Sequence, residues 1–471
     1  MNQIITLESP RLQWIGVELA NPAVTSVPAG VTAVIGPNGA GKSTLGRIIE
    51  RGRNLATNAI RSPRPDLKVR RLEFNDVHSL SAGKVTYRQQ RYESSMNDDV
   101  PLVRDILAGS IASGSHAPFD MSSLLDRRVN YLSSGETRKM LIYQALTGRL
   151  PDLLILDNPY IGLDAPSRGQ LDDALQRMAR KGVSILLLVC DPADIPDYAS
   201  AMLEIEHMTV GEMIIAPAAE LRARAALLFP AATSAPSLPH CAEPDDIDAD
   251  VAAAEMHGCT VSYGGVTLID SVDWRIMPGE RWVLSGPNGS GKSTLLSLIY
   301  ADGPQAYSND VRIFGRRRGT GESIWDVKRR IGYISPEMQL YFGGGATTVR
   351  EVVARGLNDT VGCYTRLTEA QTAAADEWMA SLGLTHLAKR TYASLSTGEQ
   401  RLVLLARTLI KDAPLLLLDE PFHGLDASHK TAVRHIIDAV AVRSDAAIVF
   451  VTHCPEEVPA GFDLIKRMPP R

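Results

Sequence analysis

Two nine-residue stretches in this chain of 471 residues are built to grip phosphate. One is GPNGSGKST, Gly286 to Thr294. The other, GPNGAGKST, runs from Gly36 to Thr44. Both fit a glycine-rich loop closed by Lys and Ser. The glycines (Gly36, Gly39 and Gly41; Gly286, Gly289 and Gly291) let the backbone, Asn38 and Asn288 included, wrap its N–H groups around phosphate oxygens. The N-terminus of the helix that follows the loop adds positive potential, and Thr44 and Thr294, which end the two loops, count among the phosphate-binding residues. Lys42 and Lys292 would reach the β- and γ-phosphates of a nucleoside triphosphate, and Ser43 and Ser293 would ligate Mg2+. An apolar run before Gly286 (Trp282, Val283, Leu284) and a helix-like one after it (Leu295, Leu296, Leu298, Ile299) supply the strand–loop–helix frame the chemistry needs.

The elements that carry these loops repeat. Lys42 and Lys292 lie 250 positions apart. LSSGE (Leu132–Glu136) and LSTGE (Leu395–Glu399) lie 263 apart, and LLILDNPYIGLD (Leu153–Asp164) and LLLLDEPFHGLD (Leu415–Asp426) lie 262 apart. Order is the same in both halves, so the chain is a tandem duplication. The second copy is longer by about a dozen residues between its loop and its LSTGE string. FPAATSAPSLPHCAEPDDIDAD, residues 229–250, has no apolar periodicity and is rich in Pro, Ala, Ser and Asp. It reads as an exposed, semi-extended linker between domains 1–228 and 251–471. Each copy alternates short apolar strand-like runs with helix-like segments, which predicts an α/β fold around a mainly parallel sheet. Helical pattern thickens around 100–128 and 347–390, predicting a helical subdomain in each copy.

Bulk properties narrow the function classes. Apolar residues make up 45% and charged ones 22%, as in a globular protein. A net charge of −5 argues against a broadly basic nucleic-acid binder, so nucleic acid is not an expected partner. No apolar run reaches the roughly 18 residues of a membrane helix. The N-terminal MNQIITLESP lacks a basic segment followed by an apolar one, and the five cysteines form no C-x-x-C pair. A reduced, cytoplasmic protein is expected.

Phosphate loop, LS[ST]GE string, then four apolar residues and an Asp, twice in one chain: this order resembles the ATP-binding cassette (ABC) ATPases over nearly the whole sequence. The resemblance implies ATP hydrolysis with Mg2+, and two cassettes paired head-to-tail inside one chain. One composite site would use Lys42 and Asp157 facing Ser396 and Gly398. The other would use Lys292 and Asp419 facing Ser133 and Gly135. Both signature strings depart from the family's LSGGQ: Ser134 and Thr397 replace its first Gly, and Glu136 and Glu399 its Gln. The serine of such a string also suits a helix N-cap. In the second copy Asp419 would orient Mg2+, Glu420 would act as general base, and His453 matches the family's switch histidine. In the first copy Asn158 follows Asp157, and an amide cannot take a proton. Asp191 stands where the histidine belongs and would repel a γ-phosphate. The resemblance therefore implies a degenerate first site that binds ATP with little or no hydrolysis, and a complete second one.

Weaker matches follow from the same family. Tyr263, and with less support Trp14, stand near the place of an adenine-stacking aromatic. Gln89 or Gln90 would be the Q-loop glutamine of the first copy; the second offers Pro336 or Glu337. Gly162–Asp164 and Gly424–Asp426 match the D-loops that line a cassette interface. FGRRRG (Phe314–Gly319) reads as a solvated turn. YSNDVRIFGRRRGTGESIWDVKRRIGY (Tyr307–Tyr333) and LLDRRVNYLSSGETRK (Leu124–Lys139) resemble a tandem-cassette branch associated with molybdate import and with photorepair. That implies an energy-supplying ATPase working with a separate membrane permease on the cytoplasmic face of the membrane. The alternative is a non-transport ABC ATPase, a ribosome-associated factor or a DNA photorepair accessory.

Overall fold

The computed structural model describes residues 2–52, 59–73, 100–111, 117–129, 132, 134–147, 150–230, 238–239, 248–263, 266–342, 346–360 and 366–469. The chain separates into two compact units. One holds the described residues of 2–230 with Leu425–His429, the other the remaining described residues.

The second unit is built on five parallel strands in the spatial order Ile331–Ile334, Leu415–Asp419, Ala447–Val451, Arg281–Ser285, Leu464–Arg467. LLLLD and AIVFV are buried along their whole length, as strands covered on both faces must be. Three neighbouring strands end in the phosphate loop, in Asp419–Glu420 and just before His453. Parallel pairing puts those ends on one edge, which is why groups far apart in sequence meet there. An antiparallel sheet of Val266–Ile276, Ala254–Tyr263, Asp310–Ile313 and Arg316–Arg317 completes the strands.

The first unit repeats the plan: Val69–Leu72, Leu153–Asp157, Ser184–Val189, Val31–Ile35, Ala201–Glu206, all parallel. Its sheet is extended by an antiparallel neighbour, Thr209–Ile215. A smaller antiparallel sheet of Thr25–Pro28, Gln3–Leu7 and Ile60–Arg61 accompanies it. The α/β architecture with mainly parallel sheets is therefore as expected.

Helices cluster where the pattern indicated. The second unit has Val349–Ala354 and Glu369–Ser381, each opened by a capping box (Thr348 with Glu351, Thr368 with Gln371). The first has Val103–Ile111 and a single turn at Ser122–Leu124. Most of the expected linker lies outside the described residues. Its first residue, Phe229, is buried at 8% exposure, so the hydrophobic packing after the helix Ala218–Ala226 runs past residue 228. Among the described residues no helix is long and apolar enough to cross a membrane.

Candidate active site

In the second unit Gly291 opens the helix Lys292–Ile299 from a left-handed conformation, φ 94°, with no side chain capping it. A helix start of this kind is where N–H groups and the helix dipole meet phosphate. Gly286 lies against the last strand of the sheet: a Cβ there would sit 2.9 Å from the Met468 carbonyl oxygen. Lys292 is buried and folds back over the loop, donating to Gly286 O at 2.7 Å and Pro287 O at 2.8 Å. Ser293 Oγ donates to Asp419 Oδ2 at 2.8 Å. This pairs the two oxygen donors that the sequence assigned to Mg2+, and hard oxygen ligands are what that ion takes.

Glu420 follows directly. It lies just past the strand in the left-handed region, φ 49°, with its N–H donated to Val451 O at 3.0 Å. A glutamate there is strained by about 1 kcal/mol or more. Its Oε1 lies 2.7 Å from His453 Nε2, an ion-pair contact whose angle is not that of a directed hydrogen bond. Its Oε2 lies 3.2 Å from His423 Nδ1. Burial opposes ionisation, yet the His453 charge and the two imidazoles hold the Glu420 carboxyl well below its usual range. Burial likewise opposes a charged His453, and Glu420 outweighs it and raises the imidazole's pKa. The two residues named as base and switch thus form one ion pair. His423 was not anticipated: a histidine three residues after a carboxylate carries no signal until the turn brings them together.

The signature string is a helix N-terminus. Ser396 caps Thr397–Leu409, its Oγ accepting from Glu399 N–H, while Glu399 Oε2 accepts from Ser396 N–H at 2.7 Å. Glu399 in place of the family's Gln completes this capping box. Gly398 is buried in the first turn. Further along, Arg401 is buried beneath Asp419–Pro421. In the Q-loop region Pro336 and Glu337 open a short 3-10 helix, Pro336–Phe342. It is Gln339 whose Nε2 donates to Thr397 O, at 3.3 Å.

The first unit carries the same loop over different surroundings. Gly41 again opens the helix left-handed, φ 109°, and Lys42 Nζ donates to Gly36 O at 2.7 Å and Pro37 O at 2.8 Å. A Cβ on Gly36 would collide with Ile205 O. Ser43 bonds to Asp157, whose carboxyl is pushed up by burial. Burial also lowers Lys42 from its usual value. Asn158 takes the left-handed conformation that Glu420 has, φ 49°, and donates its N–H to Leu188 O at 2.8 Å. Its Oδ1 is buried without a partner, and its Nδ2 leans on Asp157 Oδ1 at 3.3 Å. Asp191 caps a turn by accepting from Ala193 N–H at 3.0 Å. Arg71, at the sheet position Tyr333 holds in the second unit, puts Nη1 3.8 Å from Asp157 Oδ2 while pairing with Glu50 and Glu73.

Other sequence expectations fall as follows. Gln89, Gln90 and Ser133 lie outside the described residues, as does the Tyr263 side chain, although Tyr263 ends the strand Ala254–Tyr263. Gly135 is buried in the helix Ser134–Thr147. Trp14 packs half-buried on the first unit's core. Both D-loop aspartates cap the helices after them, Asp164 accepting from Ser167 N–H and Asp426 from His429 N–H. In FGRRRG, Arg316 and Arg317 are exposed, but Arg318 is buried and paired with Glu322 at 2.6 Å, so it is part of the turn's interior.

Two halves with one strand order, one loop and one Asp position pose a family question, which comparison with known proteins decides. The family described as ABC transporter matches residues 19–161 and 269–423, one segment in each copy. The chain belongs to the ABC transporter family. Its similarity to the ABC transporter ATP-binding protein ModF of Escherichia coli (strain K12) is 35% identity over 446 residues, covering 91% of this chain and 89% of that one. An uncharacterized ABC transporter ATP-binding protein of Schizosaccharomyces pombe is 28% identical, covering 91% and 90%. The solved structure titled RNase-L Inhibitor covers 95% of this chain and 85% of its own with a TM-score of 0.54; at 20% identity that is a likeness of fold. The protein is thus a tandem-cassette ABC ATPase.

Proposed function

We propose that this ABC ATPase hydrolyses ATP at the second loop, binds it without efficient hydrolysis at the first, and supplies the energy to a separate membrane permease. The observation that carries the catalytic part is the buried pair of Glu420 with His453, 2.7 Å apart, against Asn158 and Asp191 in the other copy. Glu420, kept ionised, can take the proton of a water attacking the γ-phosphate. His453, kept protonated, can meet the charge that develops there. Lys292 would cover the β- and γ-phosphates. Ser293 and Asp419 would hold Mg2+, which supplies charge neutralisation between those phosphates. Ser133 and Gly135 would close this site from the other cassette, and Ser396 and Gly398 the first.

The transport reading is supported by the 35% identity to ModF, named as an ABC transporter ATP-binding protein. Molybdate is the cargo class that the sequence resemblance implies, and the cytoplasmic face of a membrane is the proposed location. The test is crosslinked recovery of partners with Glu420→Gln, which should hold the closed ATP-bound state. A polytopic membrane protein in the ATP-dependent fraction supports the reading. Ribosomal subunits or DNA there, with no permease, would replace it by a non-transport role.

A further inference from the structure

The buried guanidinium of Arg401 has no part in the chemistry above, and its surroundings are unlike those of an ordinary core arginine. It is 1% exposed and donates to four backbone oxygens: Asp419 O at 2.9 Å, Glu420 O at 2.6 Å, Pro421 O at 3.2 Å and Ser335 O at 2.6 Å. Three of these belong to the turn that aims the catalytic carboxylate, and the fourth ends the neighbouring strand, next to the Q-loop segment. Arg401 itself sits one turn into the helix capped by Ser396. Burial in this site brings its pKa down to about 10, so it keeps its charge at neutral pH. A buried cation is costly to hold, and here the four carbonyl dipoles and the nearby Glu420 and Asp419 carboxylates offset that cost. What it holds is the turn with the left-handed Glu420. The first copy carries Arg138 at the same place in its helix, with Nη1 donating to Asn158 O at 3.1 Å and Ile161 O at 2.6 Å.

We propose that Arg401 is a positioning residue that carries movement of the signature helix to the Glu420 turn, so that nucleotide gripped by Ser396 and Gly398 adjusts the catalytic base of the same cassette. A planar fork spanning four acceptors on two segments leaves little slack: a shift of the helix must be followed by the turn or must break bonds to it. Gln339, bonded to Thr397 O, ties the Q-loop segment to the same helix start. The identity of that nucleotide as the one on Lys42 rests on the head-to-tail reading above.

The experiment is amide hydrogen exchange on the full chain carrying Lys292→Ala, in which only the first site takes ATP. ATP should slow exchange at Gly398 and Glu399, and also, at least threefold, at Glu420, Phe422 and His423. Slowing at the helix start without any at the turn overturns the Arg401 proposal. No slowing at either, with ATP bound, overturns the head-to-tail reading and the relay with it. Arg401→Lys, which keeps the charge but not the fork, is the second arm. It should lower kcat about 100-fold with KM within twofold, as a misaimed base does. It should also make a further Lys42→Ala change nothing more. A merely structural Arg401 would instead lower the melting temperature while leaving the effect of Lys42→Ala intact.

Discussion

The two Asp-bearing strands are followed by different residues, Glu420 and Asn158, on a backbone that hardly differs. Glu420 and Asn158 both sit at φ 49°, both follow a buried Asp, and both give their N–H to the adjacent strand. Asparagine accepts that conformation readily, whereas glutamate does not. The second cassette therefore keeps a strained residue, backed by His453, His423 and the Arg401 fork. The first has the comfortable residue and a buried oxygen without a partner. It also has Arg71 beside Asp157, where a metal ion would have to compete. The first cassette keeps the loop while the residues around it differ: Asn158 for Glu420, Asp191 for His453 and Arg71 for Tyr333.

The sharpest way to break this contrast is Glu420→Gln. Turnover should fall about 1,000-fold while equilibrium ATP binding stays within twofold, read by steady-state phosphate release and by fluorescent-nucleotide titration. If Lys42→Ala abolished turnover while Glu420→Gln did not, the sites would have to be exchanged. His453→Ala should cost about 100-fold in kcat with little change in KM, since it removes a group that acts as charge develops. Asn158→Glu restores the base alone. With Asp191 and Arg71 still in place it should raise turnover less than twofold, and it should destabilise the protein by about 1–3 kcal/mol in urea titrations through backbone strain and a buried carboxylate. A large gain in turnover would mean that the missing base was the whole difference.

The smallest effect is one of pH. The Glu420 pKa lies below its reference of 4.5, so its contribution to stability is present above that value and is lost as pH falls through the depressed pKa. The His453 pKa lies above its reference of 6.5, so its contribution is present below that value and is lost as pH rises through the raised pKa. The pair therefore stabilises most between about 4.5 and 6.5. Above that window the melting temperature of the wild type should fall towards that of His453→Ala, with the two converging at alkaline pH. A gap that widened with rising pH would contradict the ion pair.

Much of this was legible in the order of residues. Apolar runs such as the four leucines before Asp419 and AIVFV suit strands buried on both faces, where a short run has no polar side to turn to water. The loops, Asp157, Asp419 and the contrast of Glu420 with Asn158 could be read from local strings, since spacing along a strand and turn is set by the chain itself. His423, Gln339, Arg71 and Arg401 could not. Their roles come from contacts across 3 to 86 positions with backbone or carboxylate groups of other elements, and a backbone oxygen leaves no mark in a sequence. The basic string at Arg316–Arg318 divides in the same way: two arginines face water and one is interior, as only the turn can decide.

By itself the sequence determined two phosphate-loop strings on one repeated fold, with one candidate base, Glu420, between the two copies, because these follow from residue type and local spacing. The tertiary structure decided how that base is held. Parallel strands bring Glu420 to His453, a turn brings it His423, and a buried arginine fixes the backbone beneath it. Such contacts depend on which strand ends share an edge, and that is a property of the folded sheet rather than of any stretch within it.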